Sequence, residues 1–172
     1  ANEIKSEVET HLGAITYRNI MRNDIRVTEI TDTIGRKTTI KNGEPNVVGV
    51  RQEETTLPDG SRVESVLNKF ENPTFTSIAG LRTVSTSYDD PNFPGLLPTT
   101  IVDSLAAAPV NIAYDDRGRV ETVSDGLTCT KHAYDPGIFH APVATTVYPG
   151  GACSGAPLNQ YSYTFDPVYA NV

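Results

Sequence analysis

Val110–Asp135, VNIAYDDRGRVETVSDGLTCTKHAYD, is the stretch that decides the fold class. Apolar and polar positions alternate through Ile112 and Tyr114 and again from Val120 to Thr122, the period of a half-buried strand. Between these runs stand Asp116-Arg117-Gly118 and Ser124-Asp125-Gly126. Glycine adopts positive φ without a Cβ clash and aspartate bonds back to its own backbone, so both sites favour tight reversals. The order is therefore strand, turn, strand, turn, strand. An aromatic–aspartate pair closes each end, Tyr114-Asp115 and Tyr134-Asp135.

The unit recurs. Thr28–Gly43 (TEITDTIGRKTTIKNG) aligns without gaps on Asn111–Gly126 (NIAYDDRGRVETVSDG), bringing Asp32 onto Asp115 and Gly35-Arg36 onto Gly118-Arg119. Asp59–Asn68 (DGSRVESVLN) repeats the turn and its following strand. A second pattern interleaves with the first. Tyr88–Val102 and Tyr134–Tyr148 share the aromatic–aspartate pair, Phe93 with Phe139, and Thr99-Thr100 with Thr145-Thr146. Another such pair, Phe165-Asp166, stands near the end of the chain. A unit too small to bury its own apolar face needs a neighbour on each side, which is the logic of a repeat array.

YDDRGRVETVSDG, TDTIGRKTTIKNG, the recurring Tyr-Asp and the closing YTFDPVYANV resemble the rearrangement-hotspot (RHS) or YD-repeat family. The resemblance covers Val27–Asn42, Leu57–Asn68 and Tyr88–Val172, so residues 27–172 read as one repeat region and 1–26 as a segment of uncertain match. It implies an all-β fold of consecutive antiparallel strands and hairpins, part of a curled sheet or shell. Such arrays occur in polymorphic-toxin shells, insecticidal toxin complexes and teneurins. The resemblance therefore implies a bacterial, secreted or cell-surface setting, with the rest of a parent protein and a C-terminal toxin domain as partners. Toxin-enclosing members carry a self-cleaving Asp-Pro-x-Gly-Leu-type motif. Asp32-Thr33-Ile34-Gly35 departs from it at the proline and Asp135-Pro136-Gly137 in spacing, so autoproteolysis does not carry over.

The 172 residues suit one domain or a piece of a larger one, and the unfinished YTFDPVYANV favours a piece. On that reading, open sheet edges invite self-association. Lys and Arg total 14 against 21 Asp and Glu, a formal charge of −7. An acidic surface repels phosphate backbones, which argues against a nucleic-acid partner. No stretch approaches the ~20 apolar residues of a helical membrane span, and no signal peptide is evident. Cys129 and Cys153 form no metal-type pair. Sequence does not show whether their Cα atoms lie within the ~7 Å a disulfide needs, and the reading adopted is free thiols.

Taken in order, Ala1–Gly13 reads as a short helix or an extended edge strand, with Ile4, Val8 and Leu12 recurring every four residues in favour of the helix. Ala14–Ile20 reads as a strand, and Arg26–Asp32 with Lys37–Lys41 as a hairpin. Gly43–Val50 is a loop. Phe70 and Phe75 are expected to anchor Asn68–Leu81. Arg82–Tyr88 and Thr99–Asp103 are strands, separated by a proline-rich crossover loop at Asp89–Pro98. Ala106–Ala108 allows one helical turn. Ile112, Tyr114, Val120 and Val123 should share the more apolar face, each tyrosine buried against the next repeat while its aspartate caps the turn.

No residue set asks for catalysis, a cofactor or a metal. His11, His132 and His140 are the three histidines; His132 lies on a strand and His140 in a loop. Asp89-Asp90 and Asp115-Asp116 lack calcium-loop spacing and read as turn caps. No Gly-x-Ser-x-Gly or phosphate-cradling loop is present. The primary reading is a non-catalytic structural repeat segment of a shell that encloses or displays a toxin. The alternative is an extracellular carbohydrate-binding or adhesion module, in which Tyr148, Tyr161, Tyr163 and Tyr169 stack on sugar faces of glycans. A hydrolase using the histidines and paired aspartates is the third.

Overall fold

A computed structural model of the chain describes residues 3–10, 13–22, 25–137 and 141–164. The chain forms two compact units, Ala1–Ser85 and Thr86–Val172. The first carries β1 (Glu3–Thr10), β2 (Gly13–Arg22), β3 (Ile25–Thr31), β4 (Lys37–Asn42), β5 (Arg51–Thr56), β6 (Arg62–Leu67), β7 (Pro73–Ile78) and most of β8 (Arg82–Ser87). The second carries β9 (Thr100–Asp103), β10 (Val110–Tyr114), β11 (Val120–Ser124), β12 (Thr128–Ala133), β13 (Ala144–Pro149) and β14 (Asn159–Ser162). The fold is all-β: the strands are antiparallel, each lies beside its neighbour in sequence, the sheet is not closed, and no helix occurs among the described residues.

One local device recurs at five of the reversals. At Asp32–Arg36 the Asp32 N–H donates to Arg36 O and the Gly35 N–H to Asp32 O, both at 3.0 Å. Asp32 Oδ1 accepts from the Ile34 and Arg36 N–H groups at 3.1 and 2.9 Å. The same four bonds recur at Asn46–Val50, Asn68–Asn72 and Asp115–Arg119. Leu57–Ser61 keeps the two backbone bonds and moves the cap to Asp59, whose Oδ1 accepts the Ser61 N–H at 2.9 Å. In every case the fourth residue has positive φ: 82° at Gly35, 80° at Gly49, 84° at Gly60, 66° at Glu71 and 76° at Gly118. This is a type I turn followed by a left-handed bulge residue, which restores the strand twist.

In the first unit the register sorts side chains by face. Glu3, Arg18, Glu29, Lys37, Lys41 and Glu54 share one face and pair across strands: Glu3–Arg18 at 2.6 Å, Arg18–Glu29 at 3.4 Å, Lys37–Glu29 at 2.8 Å and Lys41–Glu54 at 2.6 Å. Exposed pairs of this kind contribute about 0–1 kcal/mol each, so they fix register more than they add stability. The opposite face presents Ile15, Tyr17, Ile30, Ile40, Val63 and Ile78, interrupted by Arg26, Arg51, Glu53 and Arg82. Among the described residues the buried apolar side chains are Ile20, Val27, Leu67 and Cys129, and none is less than 2% exposed. The apolar burial is therefore shared between neighbours in cross-strand rows.

In the second unit, Ile112 lies opposite Val123 and Tyr114 opposite Val120. Val120 and Val123, three apart, share a face because the register shifts by a bulge beside Tyr114. The expected apolar face is present.

Several expectations are corrected. The helical reading of the N-terminal segment fails: Glu3–Thr10 is a strand paired along its length with Gly13–Ile20, and Ile4 and Val8 are 69% and 51% exposed. A four-residue spacing is also twice the strand period, so it does not separate the two structures. Ala106–Ala108 forms bends, not a helical turn. Phe70 and Phe75 do not anchor a core; they are 40% and 37% exposed, and Phe70 carries the Lys69 ammonium 4.9 Å from its ring centroid. Asp89–Pro98 is a loop, but it brings Thr99 back to bond Ser87 O at 2.8 Å instead of crossing other strands. Cys129 and Cys153 are not free thiols: they form a disulfide with Cα atoms 5.1 Å apart.

Candidate functional site

The chemistry-bearing residues of the second unit gather at the aromatic–aspartate corners. Tyr114 ends β10 and its hydroxyl donates to Pro98 O at 2.9 Å; Tyr134 follows β12 and its hydroxyl donates to Val120 O at 2.8 Å. Each ring thus reaches back to the backbone of the segment before it. Burial raises the pKa of Tyr88, Tyr114 and Tyr134; for Tyr114 the charges of Asp90 and Tyr88 add to the rise. The Arg119 guanidinium lies 4.3 Å over the Tyr134 ring, a cation–π contact.

The aspartates serve the turns. Asp115 Oδ1 accepts the Arg117 and Arg119 N–H groups at 3.0 and 2.9 Å, and Oδ2 takes the Arg119 side chain at 2.6 Å. Burial pushes the Asp115 carboxyl up, but the Arg119 backbone and side chain outweigh it and hold the pKa below the usual range. At the first corner the cap is Asp90, not Asp89: its Oδ1 accepts Asn92 and Phe93 N–H at 2.9 and 3.0 Å, and the residue is 6% exposed. Phe93 then packs where a Cβ on Gly118 would come within 3.3 Å. Asp135 accepts the Gly137 N–H at 2.7 Å, and Arg117 Nη1 spans to Pro136 O at 3.0 Å, joining two corners.

His132 Nδ1 lies 3.0 Å from Thr145 Oγ1 across the β12–β13 ladder, while His11 and His140 lie outside the described residues. Among the described residues no group of three or more His, Cys, Asp or Glu side chains is placed to hold a metal ion.

In the first unit, Lys41, Gln52, Glu54, Glu64, Val66 and Phe75 line an open groove of about 370 Å³. Glu54 and Glu64 face each other across β5 and β6. Lys41 holds the Glu54 pKa below the usual range, with Arg62 at 4.0 Å on its other oxygen. A general acid needs a raised carboxyl. The carboxyl pKa values of Glu29, Asp32, Glu54, Asp59, Asp115 and Asp125 are all lowered.

The Asn46 and Asn68 caps were readable, at least in part. Asn46-Val47-Val48-Gly49 has the same Asx-x-x-Gly form as Asp32–Gly35, whereas Glu71 hides the Asn68 turn by standing where glycine is expected. The carbonyl partners of the tyrosine hydroxyls leave no sequence signal. Compared with known proteins, the chain matches no family model and no curated sequence.

Proposed function

We propose that the chain is a non-catalytic wall segment of YD-repeat type, secreted or displayed at a bacterial cell surface, that helps enclose or display a C-terminal toxin domain. The observation that carries this reading is the repeated corner: an Asx-capped turn, with a tyrosine bonded back to the preceding segment at Tyr114 and Tyr134. Among the described residues, the capping aspartates and the Tyr114 and Tyr134 hydroxyls are engaged in holding turns and strand neighbours. The Cys129–Cys153 disulfide supports an oxidising compartment. The test is the coding sequence beyond Val172. Further Asx-capped hairpins followed by an unrelated toxin domain are expected; an immediate stop codon contradicts the reading.

One observation favours a carbohydrate-binding or adhesion role as second reading: Tyr161 and Tyr163 on and beside β14 are 50% and 46% exposed. Flat exposed rings stack on sugar faces. Tyr148 is half-buried and Tyr169 lies outside the described residues. A glycan array on which the Tyr161→Ala variant binds as the parent does, or on which neither binds, removes this reading.

A further inference from the structure

The segment from Gly150 to Thr164 is held differently from the rest of its unit. Of these residues Cys153 alone is not exposed, and all four positions of β14 lie open. Besides the pairing of β14 with β13, its ties are bonds near the surface. Gly150 N–H donates to Leu127 O at 2.6 Å, Leu158 N–H to Val147 O at 2.7 Å and Tyr163 N–H to Val143 O at 2.8 Å. Ser124 Oγ donates to Gly151 O at 2.9 Å. Through the disulfide, Cys153 reaches Cys129 in β12, which is 3% exposed. A four-residue strand without a buried side chain is marginal by itself.

We infer that the Cys129–Cys153 bridge is a redox latch on the last strand: a dithiol reductant opens it, Gly150–Thr164 leaves β13, and β13 becomes an open edge. A thiolate of the reductant attacks Sγ of Cys153, the more accessible sulfur. The S–S bond breaks and its electron pair leaves on Cys129 Sγ, which takes a proton. The second thiol of the reductant then attacks the mixed disulfide, closes the reductant's own disulfide and releases Cys153 as a thiol. Two electrons pass to the protein. The turn cap at Asp115 and the Tyr114 and Tyr134 anchors use neither sulfur, so β10 and β11 keep their supports. The vacated β13 edge then presents unpaired N–H and C=O groups, which suit an added strand.

Amide hydrogen exchange on the intact chain, oxidised and then reduced with dithiothreitol, tests the latch. The Leu158 and Tyr163 amides should exchange at least about tenfold faster after reduction, while the Ile112 and Asp115 amides keep their rates. The Cys153→Ser variant should show the same pattern without reductant. Unchanged rates at Leu158 and Tyr163 overturn the inference. Loss of protection at Ile112 and Asp115 as well also overturns it, since the bridge would then hold the whole unit and not its last strand.

Discussion

At Glu71 and Ala79 the backbone takes φ of 66° and 52°; in the four other turns built like that of Glu71, glycine stands at its place. A left-handed L-residue costs roughly 1–2 kcal/mol, and asparagine tolerates it best after glycine. Ala79 precedes Gly80, also at positive φ, so Ala79→Asn completes an Asn-Gly hairpin turn. It should stabilise the protein by about 0.5–1 kcal/mol in urea titration; a loss of stability contradicts the turn geometry. Gly118→Ala should cost more than Gly60→Ala, because a Cβ at Gly118 meets Phe93 at 3.3 Å while Gly60 has open space. The caps carry a pH dependence. Asp32, Asp59, Asp115 and Asp125 have folded pKa values below their unfolded ones. Their contribution is thus fully present above the unfolded value of about 4 and is lost as pH falls through the folded values. Thermal melts should hold steady from neutral pH to about 5 and drop below about 4; a melting temperature unchanged down to about pH 2.5 would contradict the caps.

At the scale of the strand pair, the tyrosine anchors are the distinguishing element. Removing the hydroxyl in Tyr114→Phe or Tyr134→Phe leaves Pro98 O or Val120 O without its donor, at a cost of about 0.5–1.5 kcal/mol each. A neutral effect of both would show that the rings, not their hydroxyls, hold the corner. The raised tyrosine pKa values act in the alkaline direction. Their contribution is present below the unfolded value of about 10 and declines as pH rises through the folded values. Legibility divides along the same lines. The Thr28–Gly43 and Val110–Asp135 hairpins were readable because Asx caps and glycines sit at the required positions. β5, RQEETT, was not, because its strand identity comes from pairing with β4 and β6 and not from apolar alternation. The disulfide was hidden because the Gly150–Leu158 loop folds back over the β11–β12 turn, where Gly151 approaches Gly126, a return no local pattern encodes.

At the scale of the molecule, the pattern pointed to consecutive antiparallel strands but read β1 towards a helix, missed β5 and did not show what covers the sheet. Ile15, Tyr17, Ile30, Ile40, Val63 and Ile78 share one face in the first unit, yet no side chain among the described residues reaches complete burial. Exposed apolar side chains such as Ile4, Val8, Val47, Val48 and Leu81 favour association of copies. Light scattering should therefore show an average mass that rises with concentration; a strict monomer throughout contradicts this expectation. The central claim is that successive strands pair in chain order through repeated capped turns, and cross-strand nuclear Overhauser contacts measure it most directly. Contacts are predicted between Glu29 and Thr39, Thr55 and Val63, and Ile112 and Val123. Helical contacts in Glu3–Thr10, or pairing between strands that are not neighbours in sequence, would contradict it.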